Sequence, residues 1–565
     1  MSLLERGAAA SRSDAGPAPP SRRLRRGWDA AVMVVAVLIV LPVALVAVGV
    51  LTPSTDVWAF LWRTELPSML GTTLALLVAV VCCTLLLGTG LAWLVGRYRF
   101  PGQRWFSWLL VLPLAVPAYV LGFVYLGLLD HPGPVQSAMR GWFGDDVWFP
   151  EVRSFPMAVL VLSLASYPYV YLLARAAVSE QTAATYEAAR VLGQGPVQAA
   201  VRVVLPLARP SLAAGAALVA METLTDFATI QYFNVRTVSV AVYQVWNGMY
   251  DRVAATEVAS LVLLFAVAVL AFERAARGGS RFSQQGGSRG VEPVQLTGRR
   301  AWAATAVCAT VVGLGFAGPV LQLCIWAFTA ATRDDGYSVG PSYAGYLVNS
   351  VLIAALVAVL CAGIAVLLAS ATRLGEGGTG RARRLAGLTT VGYAVPGPVV
   401  AIGVLAILAA ADSALDALGS SLGGLLVTGT VAGLVYAYAV RFLALAYNSV
   451  DASLDKVSPS LTSAALTLGS LPADVVRRIH LPLMRSGVGV ALVLVAVEAL
   501  KELPIVLMLR PFGFETLAIW VYQLASESRW ELAALPALTI VGVAVLPVAL
   551  LLRSTLSKPY AGGWR

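Results

Sequence analysis

The sequence predicts an all-α polytopic membrane protein of about 12 transmembrane helices in two parallel six-helix repeats. Three observations carry this. Of 565 residues, 58% are apolar and only 12% charged, with a mean hydropathy of +0.78; a soluble domain carries about twice that charge. Many apolar runs exceed the roughly 20 residues a helix needs to cross a bilayer, and they are too long for the ten-residue alternation of barrel strands. Short motifs also return in the same order 276–279 positions apart.

Taken in order, residues 1–28 are basic and rich in Ser, Pro and Ala, and predict a disordered tail. Six apolar runs follow, at 29–51, 68–95, 105–129, 154–175, 211–232 and 256–274, so that 29–274 forms a first half. The first run is too long for a signal-peptide core and has no evident cleavage site, so it reads as a retained span. Residues 275–300, rich in Gly, Ser and Arg, predict a flexible linker. Six more runs, at 301–328, 346–370, 385–411, 422–447, 487–508 and 534–553, make a second half over 301–553, and 554–565 form a C-terminal tail.

Twelve spans put both termini on one side. The termini and the loops after the even-numbered spans hold 30 of the 40 Lys and Arg residues, counting helix-end residues with the adjoining loop. The opposite loops hold 8, and Arg441 and Lys501 fall inside spans. The side rich in Lys and Arg is cytoplasmic, so both termini are expected in the cytoplasm. The net charge of +10 is therefore a topology signal, and a nucleic-acid partner is not expected. The partner of the apolar surface is membrane lipid. Cys82, Cys83, Cys308, Cys324 and Cys361 lie in or beside apolar runs without metal-ligand spacing. With only His131 and His480 beside them, no metal site and no bound cofactor are expected.

The repeat is seen in "AVP" at Ala115–Pro117 and Ala394–Pro396, and in "METLTDF" from Met221 against "VEALKEL" from Val497. "FNVRTVSVAVYQ" from Phe233 likewise matches "FGFETLAIWVYQ" from Phe512. An even number of spans per half makes the repeats parallel, related by an axis along the membrane normal, with a pathway expected between them.

Between spans 4 and 5 stands "EAARVLGQGPVQAAVRVVLP", and between spans 10 and 11 "SAALTLGSLPADVVRRIHLP". The matched residues are Glu187, Ala188, Ala189, Gly193, Leu205 and Pro206 in one copy, and Ser463, Ala464, Ala465, Gly469, Leu481 and Pro482 in the other. Ala favours a helix, Gly a turn that a Cβ opposes, and Leu-Pro opens the next segment with a fixed φ. This resembles the EAA loops of ATP-binding cassette (ABC) importer permeases. The resemblance implies that these loops form coupling helices seated on a cytoplasmic ATPase. It implies two copies of that ATPase, one per loop, and a separate extracytoplasmic substrate-binding protein. The chain has no phosphate-binding G-x-x-x-x-G-K-[ST] loop, so ATP is expected to be used by the partner subunit and no catalytic residue is assigned here. The second copy departs from the pattern with Ser463 in place of Glu.

Residues 499–526 and 221–251 look like the corresponding stretches of ferric-iron permeases, which implies ferric iron as solute and a cytoplasmic (inner) membrane location. Glu222, Asp226, Glu498 and Glu502 lie in spans 5 and 11 with Lys501 beside them, and Arg441 lies in span 10. Ionisable groups at membrane depth face a cavity or one another. The i, i+4 spacing predicts each acid pair on one helix face. Direct ion contact and structural pairing with Lys501 or Arg441 are both open readings. Tyr167, Tyr169, Tyr171, Tyr436 and Tyr438 could line a wet path or simply pack. The acids of the opposite loops (Asp145, Asp146, Glu151, Asp334, Asp335) could meet a binding protein or stand solvated. Thiamine, a polyamine or another small solute, or an ATPase-independent secondary transporter, are the alternatives. A membrane enzyme would need a polar catalytic cluster, and none is evident.

Overall fold

The computed structural model describes residues 22–49, 51, 55–180, 188–249, 252–277, 294–332, 341–374, 380–418 and 427–556. Each predicted span has a helical counterpart. These are α1 (Arg22–Gly49), α2 (Leu66–Arg97), α3 (Ala118–Leu129), α4 (Phe155–Glu180), α5 (Leu205–Thr225) and α6 (Arg252–Arg277). They continue as α7 (Gly298–Thr332), α8 (Pro341–Leu374), α9 (Gly397–Ala417), α10 (Val431–Leu454), α11 (Leu481–Lys501) and α12 (Trp530–Leu556). Among the described residues, ten helices are long and apolar enough to cross a membrane, and an eleventh path is a bent pair.

Several boundaries differ from the sequence expectation. Basic residues favour helix, so α1 starts at Arg22, inside the expected tail, and α12 runs on to Leu556. The last part of the expected linker is ordered: Val294–Gln295 pairs in parallel with Tyr98–Arg99, and α7 begins at Gly298. Residues 278–293 lie outside the described residues.

The third span is broken rather than straight. Its two parts, Gln103–Ala115 and Ala118–Phe143, meet at 92°. Proline disfavours helical backbone in the residue before it, and Val116 accordingly sits at φ −97°, ψ 115° before Pro117. Val395 sits at φ −93°, ψ 105° before Pro396, at the matching point ahead of α9.

Helices α2, α4 and α5 pack together, as do α8, α10 and α11. Small residues allow the close approach, as in membrane helix pairs generally. A Cβ on Gly88 would stand 2.8 Å from Val170, and one on Gly487 2.2 Å from Ser453 Oγ.

The first helix of each half crosses to the other half. Helix α1 packs on α9, where a Cβ on Gly403 would lie 2.4 Å from the Pro42 carbonyl oxygen. Tyr436 of α10 donates to the Leu38 carbonyl at 2.6 Å. In the mirrored contact, α7 packs against α3 and α12, and Tyr125 of α3 donates to the Leu314 carbonyl at 2.9 Å.

Candidate functional site

The helical paths of α5 and α11 both break where the sequence places an acid. The i, i+4 expectation fails here. Helix α5 ends at Thr225 and Asp226 leaves the helix at φ −81°, ψ 99°; α11 ends at Lys501 and Glu502 leaves it at φ −70°, ψ 122°. Each acid instead caps the short helix that follows. Asp226 Oδ1 accepts the Thr229 N–H at 2.9 Å and Oδ2 the Thr229 hydroxyl at 2.5 Å, at the start of Ala228–Tyr232. Glu502 Oε1 accepts the Ile505 N–H at 3.3 Å, at the start of Pro504–Leu509. A carboxylate at a helix start satisfies otherwise orphaned N–H groups, so the two breaks are stabilised by the residues that make them. The expected fifth and eleventh spans, 211–232 and 487–508, therefore each hold a helix, a break and a short second helix.

The breaks of α5 and α11 and the Pro117 bend enclose a cavity of about 100 Å³. All six predicted pathway residues line it: Glu222, Asp226, Glu498, Lys501, Glu502 and Arg441. Glu502 and Arg441 are each 6% exposed, with Arg441 Nε 3.6 Å from Glu502 Oε2, an ion pair too long to be a hydrogen bond. Lys501 Nζ lies 2.8 Å from Glu498 Oε1 and donates to the Leu114 carbonyl at 3.5 Å. Of the open readings, pairing is seen for two acids: Arg441 takes Glu502, and Lys501 takes Glu498. Arg441 Nε and Nη1 and the Tyr119 hydroxyl make no hydrogen bond among the described residues. Four carboxylates face two cations. Among the described residues, no three His, Cys, Asp or Glu side chains gather closely enough to chelate a metal ion.

Sequence reasoning missed Tyr119, Ser166 and Gly397. Tyr119 and Ser166 line the cavity. A Cβ on Gly397 would stand 2.6 Å from Arg441 Nη1 and 3.0 Å from Glu502 Oε1. The repeated "AVP" pointed to the bend that brings Gly397 there. Replacing Gly397 with valine is expected to destabilise the chain by about 1–3 kcal/mol, the usual range for overpacking. The thermal midpoint of the purified protein checks this, and an unchanged midpoint would show that the ion pair can move aside. Of the predicted tyrosines only Tyr169 lines the cavity. Tyr167 and Tyr171 are buried in a separate core, and Tyr171 donates to the Ser107 carbonyl at 3.0 Å. Asp145, Asp146 and Glu151 are exposed; Asp334 and Asp335 lie outside the described residues.

The two repeated loops close in the same way. Gln194 N–H donates to the Ala189 carbonyl at 3.1 Å and Gly193 N–H to that of Arg190 at 3.1 Å. Ser470 donates to Ala465 at 3.0 Å and Gly469 to Leu466 at 3.1 Å. These are paired Schellman closures, with Gly193 and Gly469 both at φ +86°. Leu205-Pro206 and Leu481-Pro482 open α5 and α11, as the sequence leads one to expect, but neither is the start of the helical path. The helical path starts earlier, at Pro196 and Pro472, and passes through π turns at Ala200–Val204 and Val476–His480. Pro206 and Pro482 cannot donate to the carbonyl four residues back, and the wider turn absorbs that mismatch. Ala188 and Ala189 are helical, Ala464 and Ala465 lie in the helix Pro459–Thr467 with Ser463, and Glu187 lies outside the described residues. At each tip a leucine stands out: Leu192 is 82% exposed and Leu468 86%.

Residues 88–276 match the family described as binding-protein-dependent transport system inner membrane component. The Fe(3+)-transport system permease protein FbpB 2 of Haemophilus influenzae is 25% identical over 525 residues, covering 91% of this chain and 96% of that protein. The molybdenum transport system permease protein ModB of Escherichia coli K12 is 30% identical over 188 residues, 32% of this chain and 78% of that protein. The sulfate transport system permease protein CysW of the same strain is 32% identical over 158 residues, 28% of this chain and 53% of that protein.

Proposed function

This chain belongs to the binding-protein-dependent transport system inner membrane components and is a multi-pass ABC importer permease; from that premise we propose that its solute is ferric iron. The observation that carries the proposal is the end-to-end match with the Fe(3+) permease, which spans 91% of this chain, against about a third for the molybdenum and sulfate permeases. The cavity supports it, because four carboxylates outnumber Arg441 and Lys501 and Fe³⁺ is a hard cation that favours oxygen. In this reading Asp226 and Glu502 hold the helix breaks, while Glu222 and Glu498 face the passing ion.

The cycle follows from the repeat. A binding protein outside the membrane delivers the solute to the outer mouth. Two cytoplasmic ATPase subunits, one under each loop, close on ATP and push on Leu192, Leu468 and their helices. The halves then rock about the cavity and open it to the cytoplasm, where the bias of Lys and Arg places both termini. No covalent step occurs in this chain, and ATP hydrolysis belongs to the partner.

The test is uptake of radiolabelled Fe³⁺ by cells with and without this gene, in a background lacking other iron importers, before and after ATP depletion. Uptake is expected to fall to background in both cases. Uptake indifferent to the gene would sink the iron assignment. One observation favours an oxyanion instead: Arg441 offers Nε and Nη1 without hydrogen-bond partners beside the cavity. Gene-dependent uptake of labelled molybdate or sulfate in the same cells would establish that reading.

A further inference from the structure

The two loops share a backbone but rest on different seats. At the 276-residue offset His480 stands where the first copy has Val204. Leu91-Ala92 matches Leu368-Ala369, which puts Ser370 where the first copy has Trp93. In the first copy Ala189, Ala199 and Val204 form a small apolar cluster against Trp93. In the second, His480 is fully buried and its ring bridges two elements. Nε2 lies 3.0 Å from the Thr462 hydroxyl, on the helix Pro459–Thr467, and Nδ1 lies 3.3 Å from the Ser370 hydroxyl of α8. A neutral imidazole has one donor and one acceptor nitrogen, and a hydroxyl can be either, so both bonds form in either tautomer. Arg373, on the same stretch of α8, donates to the Val457 and Leu454 carbonyls at 2.7 and 2.5 Å and fixes the chain leading into that helix.

A buried hydrogen-bonded bridge is directional, and breaking it leaves desolvated polar groups unmade. We propose that His480 is a positioning residue for energy coupling. It locks the second loop helix to α8 and to the start of α11, so that displacement of this loop moves both helices as one body. The copy that carries Ser463 in place of the acid is thus braced from behind. The proposal rests on reading the two loops as the ATPase contacts.

The experiment uses the full chain with its ATPase and binding protein, reconstituted in liposomes. His480→Val installs the residue of the first copy, and Thr462→Val removes one hydroxyl. With two buried hydrogen bonds lost in His480→Val and one in Thr462→Val, ATP consumed per solute carried is expected to rise about tenfold or more in either variant. His480→Gln, which offers a donor and an acceptor, recovers part of the loss. In the same samples, amide exchange over 464–470 is expected to quicken about tenfold, with 188–194 unchanged, because only the second loop loses its anchor. If His480→Val does not assemble, Thr462→Val decides. Normal exchange in the variants overturns the lock. Fast exchange with a normal ATP ratio overturns the coupling role and leaves a structural one. Wild-type transport that proceeds without ATP strikes the importer reading and the coupling role together, while the exchange data still judge the lock.

Discussion

Replacing Arg441 with methionine is expected to destabilise the folded chain by about 3–5 kcal/mol, the range for removing one partner of a buried ion pair. Both members are 6% exposed, and Glu502 also caps Pro504–Leu509, so it cannot turn to solvent without undoing the break after α11. Bringing two charges out of water is costly and their attraction only offsets that cost. The double variant Arg441→Met with Glu502→Gln should therefore recover most of the loss. Denaturant or thermal unfolding of the purified variants measures it. A double variant no more stable than the single one would show that Arg441 acts by packing rather than by charge. Lys501 and Glu498 are more open, at 16% and 22% exposure, and Lys501→Met should cost less because solvent screens what remains.

Gly193→Val and Gly469→Val together are expected to leave ATP hydrolysis running while transport falls to background. Both glycines sit at φ +86°, and among the described residues nothing stands within 4 Å of a Cβ added at either. The obstacle is backbone strain alone, about 1–2 kcal/mol per residue for an ordinary L-residue and more for a β-branched one. Helix closure is thus lost at both loops while the surrounding surface stays as it is. Asparagine tolerates the left-handed region, so Gly193→Asn with Gly469→Asn should keep most transport. Transport and ATPase assays on both pairs separate strain from bulk; equal loss in the Asn and Val pairs would discard the turn as the cause.

Much of this was legible in the sequence because a bilayer imposes few solutions. The helical paths follow from apolar length, and the loop turns from Gly after a polar helix. The gathering of Glu222, Asp226, Glu498, Glu502, Lys501 and Arg441 followed from the expense of charge at membrane depth. The breaks at Asp226 and Glu502 were not legible as breaks, because an i, i+4 acid pair reads equally as a helix face. Pro504 was the signal in the second copy. In the first, only Asp226 and Thr229, a cap and its donor, carried it. The choice of Glu502 over Glu222 as partner of Arg441 depends on where the Gly397 backbone passes, which no local pattern encodes. The His480 bridge joins Thr462 to Ser370 across 92 residues of sequence, and a lone histidine gives no hint of either partner.

The crossing of α1 onto the second half bears on how the chain is made. The hydrogen bond from Tyr436 to the Leu38 carbonyl spans 398 residues. At 5–20 residues per second of synthesis, α1 waits in the bilayer for roughly 20–80 s before its resting place on α9 and α10 exists. During that time its eventual protein-facing side meets lipid or a chaperone. Helix α7 has no such wait, since α3 is already in the membrane when α7 emerges. Assembly is therefore lopsided in time although the product is nearly symmetric, and a ribosome stalled after α6 leaves a half whose first helix can rest on α6 but lacks its seat on α9 and α10.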